Sequence, residues 1–195
     1  MLFFSSLTAY VLAIYRFRGS STIFKLILST MMIPSFIGLI PSFMIVSTFG
    51  WLNTYWALII PGAVSAYNVF LLRQYMITIP DELLEAARMD GCSEFGLYWR
   101  IILPLARPAL AAVGLISAVA TWNDLLWPMM VIYNSDMKTL TQAIANQAVE
   151  FYGRVPELPR IAAAMTYAVL PLLILTLITQ KHLIKGFTGL SYTKR

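Results

Sequence analysis

Four stretches of the chain are almost without charge: Leu26 to Phe49, Tyr55 to Leu72, Ala109 to Met130 and Ile161 to Gln180, with Asp124 the one carboxylate among them. Each is close to the roughly 20 residues that carry an α-helix across a hydrocarbon core. Met1 to Tyr15 opens the chain in the same manner, apolar apart from Ser5, Ser6 and Thr8, and stops at Arg16 and Arg18. At about 15 residues it is short for a crossing. It reads as a compact first helix or as the second half of a helix that begins upstream, and the lack of a charged flank before it favours the second. The pattern predicts an all-α, polytopic bundle in one domain, 1–195, with spans near 2–17, 26–48, 55–75, 108–131 and 161–181. Two longer connections remain, 79–104 and 133–160.

Prolines punctuate these spans at Pro34, Pro41, Pro61, Pro128 and Pro171. Each removes a backbone donor where no water replaces it, so such helices pack on neighbours or line a cavity. Ala111, Gly114, Ser117, Ala118 and Thr121 form a small-residue face at helical spacing, which lets two backbones approach closely in lipid. The sequence leaves open whether the partner helix is in this chain.

Only 12% of the 195 residues are charged and 59% are hydrophobic, whereas an average soluble domain has roughly 25% charged residues. The single Cys92 and single His182 supply no disulfide, zinc set or Cys-His nucleophile. The net charge of +5 comes from residues that flank apolar spans, without the basic stripe interleaved with aromatics that a nucleic-acid surface needs. Arg16, Arg18 and Lys25, then Arg73, Arg88, Arg100 and Arg107, then Lys181, Lys185, Lys194 and Arg195 fall on one side if the spans alternate. The other side carries only Lys138, Arg154 and Arg160. The excess of basic residues marks the first side as cytoplasmic, with the C-terminus inside and the N-terminus outside, as expected if one more helix precedes Met1.

The 79–104 connection carries its own punctuation. Pro80 suits a first turn, and Asp81 and Glu82 set negative charge against the positive end of a helix dipole. Gly91 is placed to end that helix in a left-handed conformation. Ser93 can cap a second short helix from Glu94 to Leu103, which Pro104 closes. A short helix pair between spans suits the transmission of force from a partner. An amphipathic linker on the membrane surface, anchored by Tyr98 and Trp99, accounts for the same residues.

Asp124, beside Asn123, is the one acidic group inside a span, and such groups are functional candidates by default. It stands roughly 26 Å along the helix from Arg107 at about 1.5 Å per residue, near the outer leaflet, where outer water or a neighbouring helix could satisfy it. Asn68 is a further polar candidate for a solute pathway. Trp122, Trp127, Met129 and Met130 could pack on a solute or on neighbouring helices. No G-x-x-x-x-G-K-[ST] phosphate loop occurs, so any ATP is handled by another polypeptide. An enzyme inside the membrane would need a dyad or metal set that Asp124 and His182 do not supply.

Glu85-Ala86-Ala87, Asp90-Gly91, then Ile101 and Leu103-Pro104, closely resembles the EAA loop of permeases in binding-protein-dependent type I ABC importers, with Cys92 where that family often has Ala. Thr121-Trp-Asn-Asp-Leu-Leu-Trp-Pro128 is similar to the W-N-[DE]-x-x-W-P segment of carbohydrate permeases of the maltose type, and Lys185-Gly186 to that group's K-G. The similarity runs from about Ser5 to Gly189 and lacks the family's first helix. It implies an inner-membrane subunit in which two homologous permeases form the pathway, two ABC ATPase subunits bind the ATP, and an extracytoplasmic solute-binding protein delivers a small solute, expected to be a carbohydrate. It further implies that Glu85, Ala86, Ala87, Asp90, Gly91, Ile101, Leu103 and Pro104 form the coupling element, with the small Ala86 and Ala87 against an ATPase groove. No cofactor of the chain's own is implied. A secondary transporter or channel, the rival reading, would need no such loop.

Overall fold

The computed structural model describes residues 1–15, 17–150 and 158–191. Arg16, Arg154, Lys194 and Arg195 lie outside the described residues, as do the side chains of Arg160, Lys181, His182 and Lys185. Among the described residues every regular element is helical. α1 (Leu2–Tyr10) runs into a π turn (Val11–Tyr15), followed by α2 (Ser20–Thr30), a 3₁₀ turn (Ser35–Gly38), α3 (Leu39–Thr48), α4 (Tyr55–Ile59) and α5 (Ala66–Met76). Next come α6 (Asp81–Met89), α7 (Glu94–Leu97), a π turn (Tyr98–Ile102), α8 (Leu103–Leu105) and α9 (Arg107–Trp122). α10 (Leu126–Val131), a 3₁₀ turn (Ser135–Met137), α11 (Leu140–Glu150) and α12 (Leu158–Ser191) complete the order.

Three of the expected spans are broken, and the sequence supplies the reason at each place. The chain leaves the helix at Pro34 between α2 and α3, at Pro61 between α4 and α5, and at Asn123 to Leu125 between α9 and α10. Pro41 and Pro128 sit in the first turns of α3 and α10, where a missing N–H costs no intrahelical bond. Pro171 is inside α12, whose Ile161–Gln180 stretch, of mean hydropathy 2.3, is long and apolar enough to cross a membrane as one helix. By length and composition, α2 with α3, and α7–α8 with α9, pass the same test only as pairs bent by 93° and 77°, as a broken span or a re-entrant loop does.

The chain divides into two compact units. The first comprises Met1–Pro34, Ala63–Ser117 and Thr179–Arg195. Its main core gathers Ala9, Tyr10 and Ala13 with Leu72, Met76, Leu84, Ala87, Leu97, Tyr98, Ile102 and Val113. Within it, a Cβ on Gly114 would lie 3.1 Å from Leu2 Cδ1. Gly114 of α9 is thus in contact with Leu2 at the start of α1 in the same chain. Polar contacts tie α5 to both neighbours: Ser65 N, at its N-cap, donates to Ser5 Oγ of α1 (3.3 Å), and Asn68 Nδ2 donates to Ser117 Oγ of α9 (2.8 Å). Lipid gives helices little hydrophobic reason to associate, so close packing and such bonds, each about 0.6 kcal/mol on average, do the holding.

The second unit comprises Ser35–Gly62 and Ala118–Ile178. Val46, Ala57, Val131 and Ile132 form its core, and Trp127 Nε1 donates to Ala57 O (2.8 Å). Asn53, held at φ 56°, turns its Oδ1 to accept from Tyr133 N (2.6 Å) and Asn134 N (2.9 Å).

Candidate functional site

α6 begins with Pro80 at the N-cap and Asp81 and Glu82 in the first turn. It ends as the sequence predicts. Gly91 has φ +79°, its N–H donates to Arg88 O (3.0 Å), and Cys92 N–H donates to Ala87 O (3.0 Å). That pair of bonds is a Schellman motif, and the left-handed residue it requires is the glycine. A Cβ added there would meet nothing within 4 Å, so backbone conformation and not crowding makes glycine fit.

The helix has two faces. Leu84 and Ala87, three apart, are buried in the first unit's core. Glu82, Glu85, Ala86 and Met89 face outward, Met89 with 88% of its surface exposed. The structure corrects the expectation for Ala87: at 8% exposure it is small because the chain's own core closes over it, so it does not face a partner. Ala86 does stand on the free face.

Ser93 caps α7, its Oγ accepting from Gly96 N (3.2 Å). The helical path continues through the π turn to Leu105, so Pro104 does not close it. Pro104 lies in the first turn of α8, and the break falls at Ala106. A π turn precedes α8, with Leu103 N–H bonded to Tyr98 O, the wider winding that often marks a local irregularity in a helix. Tyr98 is fully buried, with its OH 2.8 Å from Ser6 Oγ, and is no interface anchor. Trp99 is exposed and stacked on Phe95, with centroids 6.4 Å apart. Ile101 and Leu103 are half-buried against the core.

Glu94 joins the helix pair to α1. Its Oε2 accepts from Tyr10 OH (2.6 Å) and its Oε1 from Arg88 Nε (2.9 Å). The Arg88 hydrogen bond, followed by that from Tyr10, holds the Glu94 carboxyl below its ordinary range, and the same bond raises the Arg88 guanidinium.

The pathway candidates fall in both units. Asn68, 3% exposed, is engaged with Ser117 in the first. Trp122, Asn123 and Asp124 lie in the second, at the end of α9 and in the break before α10. Trp122 Nε1 donates to Ala168 O (3.1 Å), Asn123 Nδ2 to Val119 O (2.8 Å), and Asp124 Oδ1 accepts from Trp127 N (3.4 Å) at the start of α10. Asp124 is thus beside a helix break and not within a continuous helix.

The family model described as "Binding-protein-dependent transport system inner membrane component" matches residues 2–189. The chain belongs to that family. Among similar family proteins, the arabinooligosaccharides transport system permease protein AraQ of Halalkalibacterium halodurans is 38% identical over 96% of this chain. The sn-glycerol-3-phosphate transport system permease protein UgpE of Yersinia enterocolitica is 33% identical over 93% of this chain and 64% of its own length. The chain spans 66% of the length of that AraQ protein. A crystal structure of a bacterial ABC transporter involved in the import of the acidic polysaccharide alginate matches with a TM-score of 0.81 and 28% identity, over 92% of this chain and 68% of its own. The all-α fold is that of these permeases.

Sequence reasoning missed Tyr10 and Glu94, whose partnership spans 84 positions. It also missed Asn53, where an Asn before Thr54 and after a Gly-containing turn was the available sign, and Gln142. Gln142 is buried, with Nε2 donating to Ile132 O (2.9 Å) and Oε1 unpartnered among the described residues.

Proposed function

We propose that this chain is a permease subunit of an ATP-driven importer, forming half of a solute pathway and carrying no ATPase chemistry of its own. The observation that carries the reading is α6. It is an amphipathic helix anchored on one face in the chain's own core by Leu84 and Ala87, and it presents Glu85, Ala86 and Met89 outward. Separate ATPase subunits dock on that free face, a second homologous permease completes the pathway, and an extracytoplasmic binding protein supplies the solute. Glu85, Ala86, Asp90 and Gly91 form the coupling contact and its rigid end. Ala87, Ile101, Leu103 and Pro104 hold the element against the membrane helices. Trp122, Asn123 and Asp124 border the pathway, and Asn68 holds α5 to α9 within the first unit.

The names of the relatives, an arabinooligosaccharides permease and a glycerol-phosphate permease, support a sugar or sugar derivative as the solute. On this reading the chain lies in the inner membrane with the 79–104 loop and C-terminus in the cytoplasm, which the excess of basic residues on that side supports. The test is purification of the tagged chain from its native membranes. An ATP-hydrolysing subunit copurifying with it, and lost on Ala86→Trp, supports the reading; transport in vesicles that hold no ATPase subunit refutes it.

A further inference from the structure

Resting on the coupling role proposed above, we infer that Tyr10, Glu94 and Arg88 form a polar latch that makes the α6–α7 element and α1 move as one body. The α6–α7 element meets α1 on two kinds of surface. One is apolar: Leu84, Ala87, Leu97 and Tyr98 pack with Ala9, Tyr10 and Ala13. Apolar packing resists separation but has little directional preference, so surfaces of this kind can slide. The other surface is directional. Tyr10, 4% exposed, donates its hydroxyl to the Glu94 carboxylate at 2.6 Å and lies 3.1 Å from the Glu94 carbonyl oxygen. The carboxylate's other oxygen takes Arg88 Nε at 2.9 Å, and Arg88 Nη2 lies 3.5 Å from Oε2.

Glu94 is therefore the shared partner of a residue in α1 and a residue in the last turn of α6. Arg88 is also the residue whose carbonyl receives the Gly91 N–H at the helix end. A push on the exposed face of α6 reaches Arg88 within the same helix, passes to Glu94, and from there to a phenol embedded in the core of the first unit. Ser6 Oγ and Tyr98 OH, 2.8 Å apart and buried, add a second directional tie one turn along α1. The two ties use one face of α1, Ser6 and Tyr10, four apart as helical neighbours require. These are positioning residues, acting through the helices they join.

The test uses spin labels on the chain within its purified complex, in a membrane, with Cys92 replaced by Ser and cysteine-free partners. One pair, Tyr15→Cys with Leu83→Cys, spans the latch from exposed positions; the other, Tyr15→Cys with Thr78→Cys, lies within the first unit but bypasses it. The groups that face Glu94 are Tyr10 from α1 and Arg88 from α6, with Glu85 acting on Arg88 and Cys92 on Tyr10. The expected result is that Tyr10→Phe and Glu94→Gln each lose the single narrow distance peak of the first pair and keep that of the second. The unsubstituted latch should lose it on acidification, and Glu94→Gln should no longer respond to pH. A first-pair peak that stays narrow in both variants overturns the latch. So does broadening of both pairs, which would show that the residues merely hold the core together. Whether an ATPase copurifies bears on the function alone, and the peak widths bear on the latch alone.

Discussion

Gly91 offers a perturbation whose size follows from one angle. Its φ of +79° is a conformation that costs an ordinary L-residue about 1–2 kcal/mol. Nothing lies within 4 Å of a Cβ built there, so no steric penalty adds to that cost in Gly91→Ala. The bond most directly at stake is Cys92 N–H to Ala87 O, because it closes only when residue 91 is left-handed. Local opening of the α6 end should therefore rise about 5–30-fold in Gly91→Ala, the factor that 1–2 kcal/mol represents. Gly91→Val should exceed it because its β-branched side chain resists that conformation further, and Gly91→Asn should fall below it because Asn tolerates the left-handed region. Hydrogen exchange at the Cys92 amide in lipid nanodiscs measures the opening. Exchange within twofold of wild type in Gly91→Ala, or Asn as harmful as Val, would refute the backbone argument.

Ala87→Trp should lower the thermal stability of the chain itself, by at least the roughly 1–3 kcal/mol of an overpacked core, whereas Ala86→Trp should leave melting unchanged and weaken ATPase association; equal melting of the two would show that Ala87 is not core. Acidification should loosen the α6–α7 element. The depressed Glu94 carboxyl contributes stability that is present above its unfolded pKa and lost as pH falls through the folded value, by no more than about 1 kcal/mol for so exposed a pair, so exchange protection of Arg88 to Glu94 should fall with pH in wild type and stay flat in Glu94→Gln. Asp124→Ala should reduce solute uptake while assembly stays normal, since the bond it loses, from Trp127 N at 3.4 Å, is worth about 0.5 kcal/mol at the low end of the range for hydrogen bonds; normal uptake would remove Asp124 from the pathway.

The parts of the site that were legible in the sequence are those decided locally. Gly91 and Ser93 announce a helix end and a helix start because both depend on residues within four positions, and the structure places both motifs there. The face of α6 was not legible. Ala86 and Ala87 are the same residue type side by side, and only tertiary packing against Leu97, Tyr98 and α1 buries one and exposes the other. Tyr98 misled for a related reason: an aromatic residue near a membrane boundary suits an interface, but Ser6, 92 positions earlier, satisfies its hydroxyl inside. The breaks at Pro34 and Pro61 were marked by proline. That at Asn123 to Leu125 was not, because an apolar run with polar residues inside it reads equally as one long helix with a buried carboxylate.

If α6 couples this chain to ATP hydrolysis, its outward face is seated on an ATPase subunit. Photo-crosslinking residues introduced singly at Glu85, Ala86, Met89, Leu84 and Ala87 in the assembled complex test it most directly. Crosslinks to the ATPase should form from positions 85, 86 and 89 and not from 84 and 87. Capture of lipid alone from the three outward positions would contradict it and leave α6 a linker on the membrane surface.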